Sequence, residues 1–308
     1  MGIYFAHHDT INTTDSSDQK TGLNTSQLLN LPNPIQLYEQ RIQRFAHLAI
    51  NHPMAEYLNF CLTITKLQLS LVIQSPIKTD ANRWQCIQGN TVARPLEQHH
   101  LPLSNQWQHY LSVLFQGLLG YNLCLDQTIY QLNEYTPAKR NRLANALLKG
   151  EFDVVDKSQA LLIWSALSCY YTQLAATLPL TPVAGKDNAQ QFCPVCGSYP
   201  IASIIHSTQK NQQRYLHCSL CETEWYKVRV KCTNCDATDP FVFYSLDEMR
   251  APIKSECCQQ CCSYLKIFYR EQDPNVDIVA DDLSSLLLDE EMKKIGFCKT
   301  GVNPYLFA

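Results

Sequence analysis

The chain has no surplus of positive charge. Its 25 Lys and Arg stand against 28 Asp and Glu, a formal net charge of −3, whereas a generic nucleic-acid or anionic-membrane binder needs a basic excess. No secretory leader is expected, since MGIYFAHHDTINTTDSSDQK offers neither a basic start nor an apolar run. Ala6 stands where a myristoylation signal behind Met1-Gly2 requires Ser or Thr. Charge itself is missing from 158 to 185, and ALLIWSALSCYYTQLAATL approaches the length of a membrane span. Ser165, Ser168, Thr172, Gln173 and Thr177 interrupt it and two tyrosines sit at its middle, so it reads as a buried core helix. The expectation is a cytoplasmic protein in a reducing compartment, with no membrane and no nucleic acid as partner.

Cysteine, by contrast, is abundant, with 15 in 308 residues. Eight form four Cys-x-x-Cys pairs: Cys193/Cys196, Cys218/Cys221, Cys232/Cys235 and Cys258/Cys261, separated by 21, 10 and 22 residues. Two residues between paired cysteines let a tight turn aim both thiolates at one point, and two such turns make a tetrahedral metal site. The rhythm reads as a duplicated unit, with Cys193, Cys196, Cys218 and Cys221 on one ion and Cys232, Cys235, Cys258 and Cys261 on a second. An interleaved arrangement sharing pairs one and three is the alternative, because spacing does not prove connectivity. A disulfide framework is disfavoured by chain length, by the pairing and by the absent leader.

In CPVCG, Pro194 fixes one backbone angle and Gly197 permits the positive φ that turns N–H groups toward sulfur. The other three knuckles carry Glu222, Asp236 and Cys262 at that position and are less ideal. Lys227, Arg229 and Lys231 alternate between the sites and are candidates to offset thiolate charge, against the plainer reading of a solvated strand face. Cys257 and Cys262 are spare thiols, inert by default, and they leave a C-x-x-x-C register conceivable. His217 could replace a sulfur, but eight cysteines suffice. Four thiolates per ion leave no open position for water, so no catalytic residue and no organic cofactor is expected. Spacing does not choose between zinc and iron.

The fold class expected is α+β: an N-terminal all-helical bundle, two tandem rubredoxin-like or zinc-ribbon β modules, and a C-terminal helix. The divisions are 1–31, a flexible leader; 32–185, the helical domain; 186–270, the metal modules; and 271–308, a helix and a docking tail. His7 and His8 in the leader read as solvated. Asn33 caps the first helix with Pro34 behind it, and Ile35, Tyr38, Ile42, Phe45 and Ala49 form its apolar stripe. A second apolar helix follows, then a polar connection from Pro76 to Pro102 holding Cys86, His99 and His100. Ser104 and Thr136 cap further helices, with a short one around 124–132 between them. Cys61, Cys86, Cys124 and Cys169 read as packing residues. Beyond 190 the period falls from 3.6 to 2, the sign of short strands. One helix with Val276, Val279, Leu283, Leu286 and Leu287 on one side ends at Gly296, and Tyr305, Leu306 and Phe307 dock.

CPVCGSYPIASII, RYLHCSLCETEWYKVRVKC, ECCQQCCSYLKIFY, DPNVDIVADDLSSLLLDEEM and NPYLF, with LYEQRIQRFAHLAINHPMAEYLNF near the start, resemble the signature blocks of the formate dehydrogenase accessory protein family (FdhE). The likeness covers roughly residues 30–308. It implies a cytoplasmic, non-enzymatic protein that binds the catalytic subunit of respiratory formate dehydrogenase before export and carries two rubredoxin-type iron centres. Carried over by position, the eight paired cysteines are the iron ligands, with zinc the alternative occupant. Tyr226, where relatives often have His, and the extra cysteines of CCQQCCS depart from the pattern. Electron transfer to the same client is a second function. A zinc-ribbon nucleic-acid binder trails, since residues 193–270 hold nine Lys and Arg against seven Asp and Glu, only +2. A homodimer is compatible with the sequence.

Overall fold

In a computed structural model the described residues are 4–6, 28–78, 94–97, 103–179, 191–207, 212–229, 231–238, 240–246 and 251–306. His7, His8, Cys86, His99, His100, Phe307 and the linker stretch 180–190 lie outside them.

The first half is helical for the local reasons its sequence supplies. Helix α1 (Pro34–Leu48) starts where the Asn33 side chain accepts the Gln36 N–H, and it buries Tyr38, Arg41 and Phe45. Ile35 does not join that face; it is 45% exposed. Helix α2 (Ala55–Gln74) follows. Helix α3 (Gln106–Leu118) begins beside Ser104, whose hydroxyl accepts the Gln106 N–H, and buries Trp107, Leu111, Leu114 and Leu118. Helices α4 (Leu123–Glu134) and α5 (Pro137–Leu148) are capped by Asn122 and Thr136. Helix α6 (Lys157–Ala176) is buried from Gln159 to Ala175, on every side. An all-round apolar helix is stable only inside a protein or a bilayer, and here the other helices surround it. No helix of the described residues is long and apolar enough to cross a membrane. Cys61 and Cys169 pack in this core, whereas Cys124 is exposed.

The second half is built on one mixed sheet that has nine strands among the described residues, the first two from the N-terminal segment: β1 (Tyr4–Ala6), β2 (Leu29–Asn30), β3 (Pro200–Ser207), β4 (Gln212–Cys218), β5 (Glu224–Tyr226), β6 (Phe241–Ser245), β7 (Ile253–Cys258), β8 (Ser263–Tyr269) and β9 (Cys298–Lys299). Their order is β1-β6-β7-β8-β3-β4-β5-β2, with β9 on β8. The strand trios β3–β5 and β6–β8 repeat one antiparallel plan. They are fused side by side by a parallel ladder that sets Ser203, Ile204 and Ile205 beside Ile267, Phe268 and Tyr269. Two short pieces of the segment read as a leader, β1 and β2, close the two edges of the sheet.

The C-terminal helix is two helices, α7 (Ile278–Ser284) and α8 (Leu286–Lys294). The break has a cause. Lys266 of β8, fully buried, places Nζ 2.9 Å from the Asp282 carbonyl and 3.0 Å from that of Ser285, drawing off acceptors a continuous helix would use. The tail then docks: Val302 N–H bonds the Pro200 carbonyl, and the buried Tyr305 ring meets Phe45 edge-on at 5.9 Å. At Gly301 a side chain would collide with the Ile201 carbonyl.

Lys266 and Lys299 converge on Asp282, at 3.2 and 2.8 Å, with Asn303 Nδ2 at 2.9 Å. Burial alone would raise the Asp282 carboxyl, but the two ammonium groups hold it at about 2. A depressed carboxylate pKa adds stability that is full above the unfolded value of about 4 and is lost as pH falls through the folded one. Asp282→Asn is expected to cost about 3–5 kcal/mol at pH 6, the range for a broken buried pair. The deficit relative to wild type should shrink as the pH falls from about 4 toward about 2 in urea titrations; a constant deficit would refute the assignment.

Candidate metal centres

Each Cys-x-x-Cys pair sits in a turn closed by backbone bonds. The Cys193 N–H bonds the Ser198 carbonyl and the Gly197 N–H bonds that of Cys193. The third knuckle repeats this with Cys232, Ala237 and Asp236. The turn needs left-handed backbone just past the second cysteine, and all four knuckles have it: Gly197 at φ +81°, Glu222 at +59°, Asp236 at +58° and Cys262 at +52°. A side chain in that region costs roughly 1–2 kcal/mol. Two of the three non-glycine residues use theirs: the Glu222 carboxylate meets Arg41 and His217, and that of Asp236 meets the buried Lys227 ammonium at 2.7 Å.

The eight cysteines meet in two groups, Cys193 with Cys196, Cys218 and Cys221, and Cys232 with Cys235, Cys258 and Cys261. Within each group the sulfurs all lie within 4.8 Å of one another, and none of the eight is in a disulfide. The interleaved arrangement is not formed, because antiparallel pairing within each trio, Pro200 with Cys218 and Phe241 with Cys258, sets each second knuckle beside its own first. Across knuckles the sulfurs stand 3.6 Å (Cys193–Cys221) and 3.4 Å (Cys196–Cys218) apart in the first group, and 3.7 Å (Cys232–Cys261) and 3.8 Å (Cys235–Cys258) in the second. A tetrahedron with metal–sulfur bonds of about 2.3 Å has edges of about 3.8 Å. Backbone N–H groups of Val195, Leu220, Cys221 and Asn234 point at sulfur at 3.3–3.4 Å. The donor set fits one thiophilic metal ion in each group.

The protonation of the thiols agrees with that fit. In the first group burial opposes ionisation, yet hydrogen bonds from Cys193, Cys218 and Cys221 draw the first thiolate onto Cys196. Burial and the neighbouring sulfurs push Cys218 and Cys221 well up. In the second, burial resists but the Ser263 hydroxyl brings Cys261 down to about 7, while Cys232 is pushed up to about 12, chiefly by burial. Each group thus has one thiol drawn toward ionisation, and a bound cation would favour loss of the proton from its raised neighbours.

The groups differ in cover. All four cysteines of the first are buried, whereas in the second Cys235 is exposed and Cys261 partly so. The helical half encloses the first: Trp164 Nε1 donates to the Ser219 carbonyl at 3.1 Å, and the Leu96 and Arg94 N–H groups bond the carbonyls of Val195 and Pro194. No helix contributes such a bond to the second knuckle pair among the described residues.

Of the cations expected to offset thiolate charge, Lys227 is sequestered on Asp236, while Arg229 bonds Gln212. They follow β5 rather than alternate along a strand. His217 is not among the sulfurs; its ring lies 2.6 Å from Glu222 and 3.5 Å from Glu224. Cys257 is turned away, 3.5 Å from the Met292 sulfur, and Cys262 is exposed. Two arginines outside the expected set matter more. Arg214 of β4, 1% exposed, reaches Thr233 inside the third knuckle at 2.9 Å and Glu256 at 3.1 Å. Arg41, 2% exposed, forks onto both Glu222 oxygens at 2.8 Å and lies 3.1 Å from Asp277. Burial would raise the Glu222 carboxyl; Arg41 and His217 bring it down to about 2. The signal for Arg41 was in the sequence, a cation three residues after Tyr38 and four before Phe45 on the apolar stripe.

Arg41→Ala should destabilise the protein by about 3–5 kcal/mol, since it strands two buried carboxylates. Arg41→Lys should recover little of that, because a point charge does not reproduce the fork. Thermal unfolding of the two variants checks this; a lysine variant with wild-type stability would show that the bidentate geometry is dispensable.

Models of three consecutive parts of one family match: FdhE N-terminal at residues 26–186, FdhE central domain at 192–229 and FdhE C-terminal domain at 230–306. The protein FdhE homolog of Cronobacter sakazakii is 39% identical over 297 residues, 95% of each chain. That of Edwardsiella ictaluri is 37% identical, covering 95% of this chain and 96% of its own. The crystal structure of the FdhE protein from Pseudomonas aeruginosa is similar with a TM-score of 0.82 at 31% identity, over 91% of this chain and 98% of that one. Agreement along nearly the whole length, in sequence and in fold, places the chain in the FdhE family.

Proposed function

We propose that this chain is a cytoplasmic, non-enzymatic accessory protein that binds the catalytic subunit of respiratory formate dehydrogenase before export and supports its assembly and activation. In this reading Cys193, Cys196, Cys218 and Cys221 hold one metal ion and Cys232, Cys235, Cys258 and Cys261 a second, iron by preference and zinc as the alternative occupant. The observation that carries it is the pair of four-sulfur groups with edges of 3.4–3.8 Å, in a chain of the FdhE family. The client comes from the resemblance to formate dehydrogenase accessory proteins.

Four thiolates complete a tetrahedral shell, leaving no position at which water would be activated; this supports a binding protein over a hydrolase. Iron in such a shell would supply one-electron chemistry, and zinc would supply cross-linking alone. The chain's own contribution is to hold the sulfurs together, to stabilise their negative charge with backbone N–H groups, and to exclude water from the first group. Electron transfer to the client is a second reading, favoured by the solvent reach of Cys235 and Cys261.

Two measurements test this. Affinity capture from cells producing formate dehydrogenase should retrieve its catalytic subunit, and repeated failure to do so would overturn the client assignment. Anaerobically prepared protein should carry two metal ions per chain and give them up to excess chelator in two phases. The fast phase belongs to the exposed second group and should vanish in Cys235→Ser; the slow phase should vanish in Cys193→Ser. A single phase shared by both groups would contradict the difference in cover.

A further inference from the structure

A cleft of about 570 Å³ opens between α1, the end of β2, the second knuckle and the loop before α7. It is within the range of ligand sites. Its floor includes Glu222, the residue after Cys221, so whatever enters it lies beside the first cysteine group.

The charges in the cleft are not all engaged within the fold. Each acid lining it is already spent within the fold: Glu222 on Arg41 and His217, Asp277 on Arg41, and Glu224 on His206 at 2.8 Å and Asn30 at 3.2 Å. Arg44, also on the wall, is spent on Asp273 and Asp281, and five other polar side chains keep their capacity open. Gln40, Gln43, His47, Arg270 and Asn275 line the cleft and are exposed, and no hydrogen bond or ion pair of theirs to described residues satisfies the side chains. The free groups are therefore amides, an imidazole and one fixed cation, with no free carboxylate among the described residues that line the cleft. This holds although the chain as a whole is acidic, at −3.

The spacing of these groups says more. Gln40, Gln43 and His47 stand at i, i+3 and i+7, one row along a single face of α1 and about 10 Å long at 1.5 Å per residue. Two amides and an imidazole in a row of that length suit the repeating N–H and C=O groups of an extended polypeptide better than a compact small molecule. Leu37 continues the row at one end, and apolar Val276 and Ile278 lie across from it. Arg270 is suited to a carboxylate.

We infer that this cleft is the client-binding surface and that it receives an extended, carboxylate-bearing segment of the formate dehydrogenase catalytic subunit. The inference rests on the client assignment proposed above. Arg270→Glu combined with Gln43→Glu reverses the open charge without touching a bonded side chain. In capture assays with purified catalytic subunit and metal-loaded protein, the double variant should bind about tenfold more weakly or worse, as expected when complementary charge is inverted. Arg270→Lys should stay within about threefold of wild type, and Lys66→Glu with Lys149→Glu, outside the cleft, should bind as wild type. Metal content of two per chain in every variant keeps the cysteine groups out of the comparison.

Failure of wild type to bind the subunit would overturn the client assignment itself. Wild-type binding with an unaffected double variant, or with equal loss in the Lys66/Lys149 control, would overturn the cleft alone. A photoreactive residue placed at Gln43 should cross-link to a client segment rich in Asp or Glu; capture of a basic or purely apolar segment would overturn the chemistry assigned to it.

Discussion

The Arg41 guanidinium is buried, and a charge removed from water is sustained only by close, geometrically matched partners. Those partners come from far along the chain: Glu222 from the second knuckle and Asp277 from the cap of α7. The fork therefore sets three units against one another, the helical half, the sheet with its first cysteine group, and the C-terminal helices. Arg44 repeats the tie one turn on, with its guanidinium 2.6 Å from both Asp273 and Asp281. Hydrophobic burial holds these units together without regard to direction; the arginines supply the direction.

The same acids explain a departure from local rules. Glycine is the least strained residue in the left-handed position behind each knuckle, yet only the first knuckle has it. Glu222 and Asp236 accept the strain while pairing with a buried cation, so a local cost is offset by a tertiary contact. For Cys262 at the fourth knuckle, nothing in the structure supplies such a reason.

Duplication produced two cysteine groups of one topology but not of one environment. The first lies where the sheet packs on α6, with Trp164 bonded to its second knuckle; the second lies at the far trio, where no helix among the described residues donates such a bond. A buried thiolate group is shielded from solutes and held by the folding of everything around it, whereas one that reaches solvent meets reductants, chelators and partners directly. Equal spacing in sequence thus yields unequal chemistry in space.

Much of this protein was legible in the order of its residues. The Asn33 and Thr136 caps, the uncharged core helix, the change of period near 190 and the pairing within each knuckle follow from interactions spanning a few residues, which periodicity and turn chemistry capture. The single C-terminal helix expected from its apolar repeat failed because Lys266, on a strand, takes acceptors at the break. Arg41, Arg214 and Lys266 escaped notice because their partners lie on other elements; Arg41 and Asp277 are 236 residues apart. Local spacing specified which sulfurs stand together in a turn. Which turns face each other, which group is sealed from water and which buried cation meets which acid were settled by packing, because those outcomes depend on how whole elements meet.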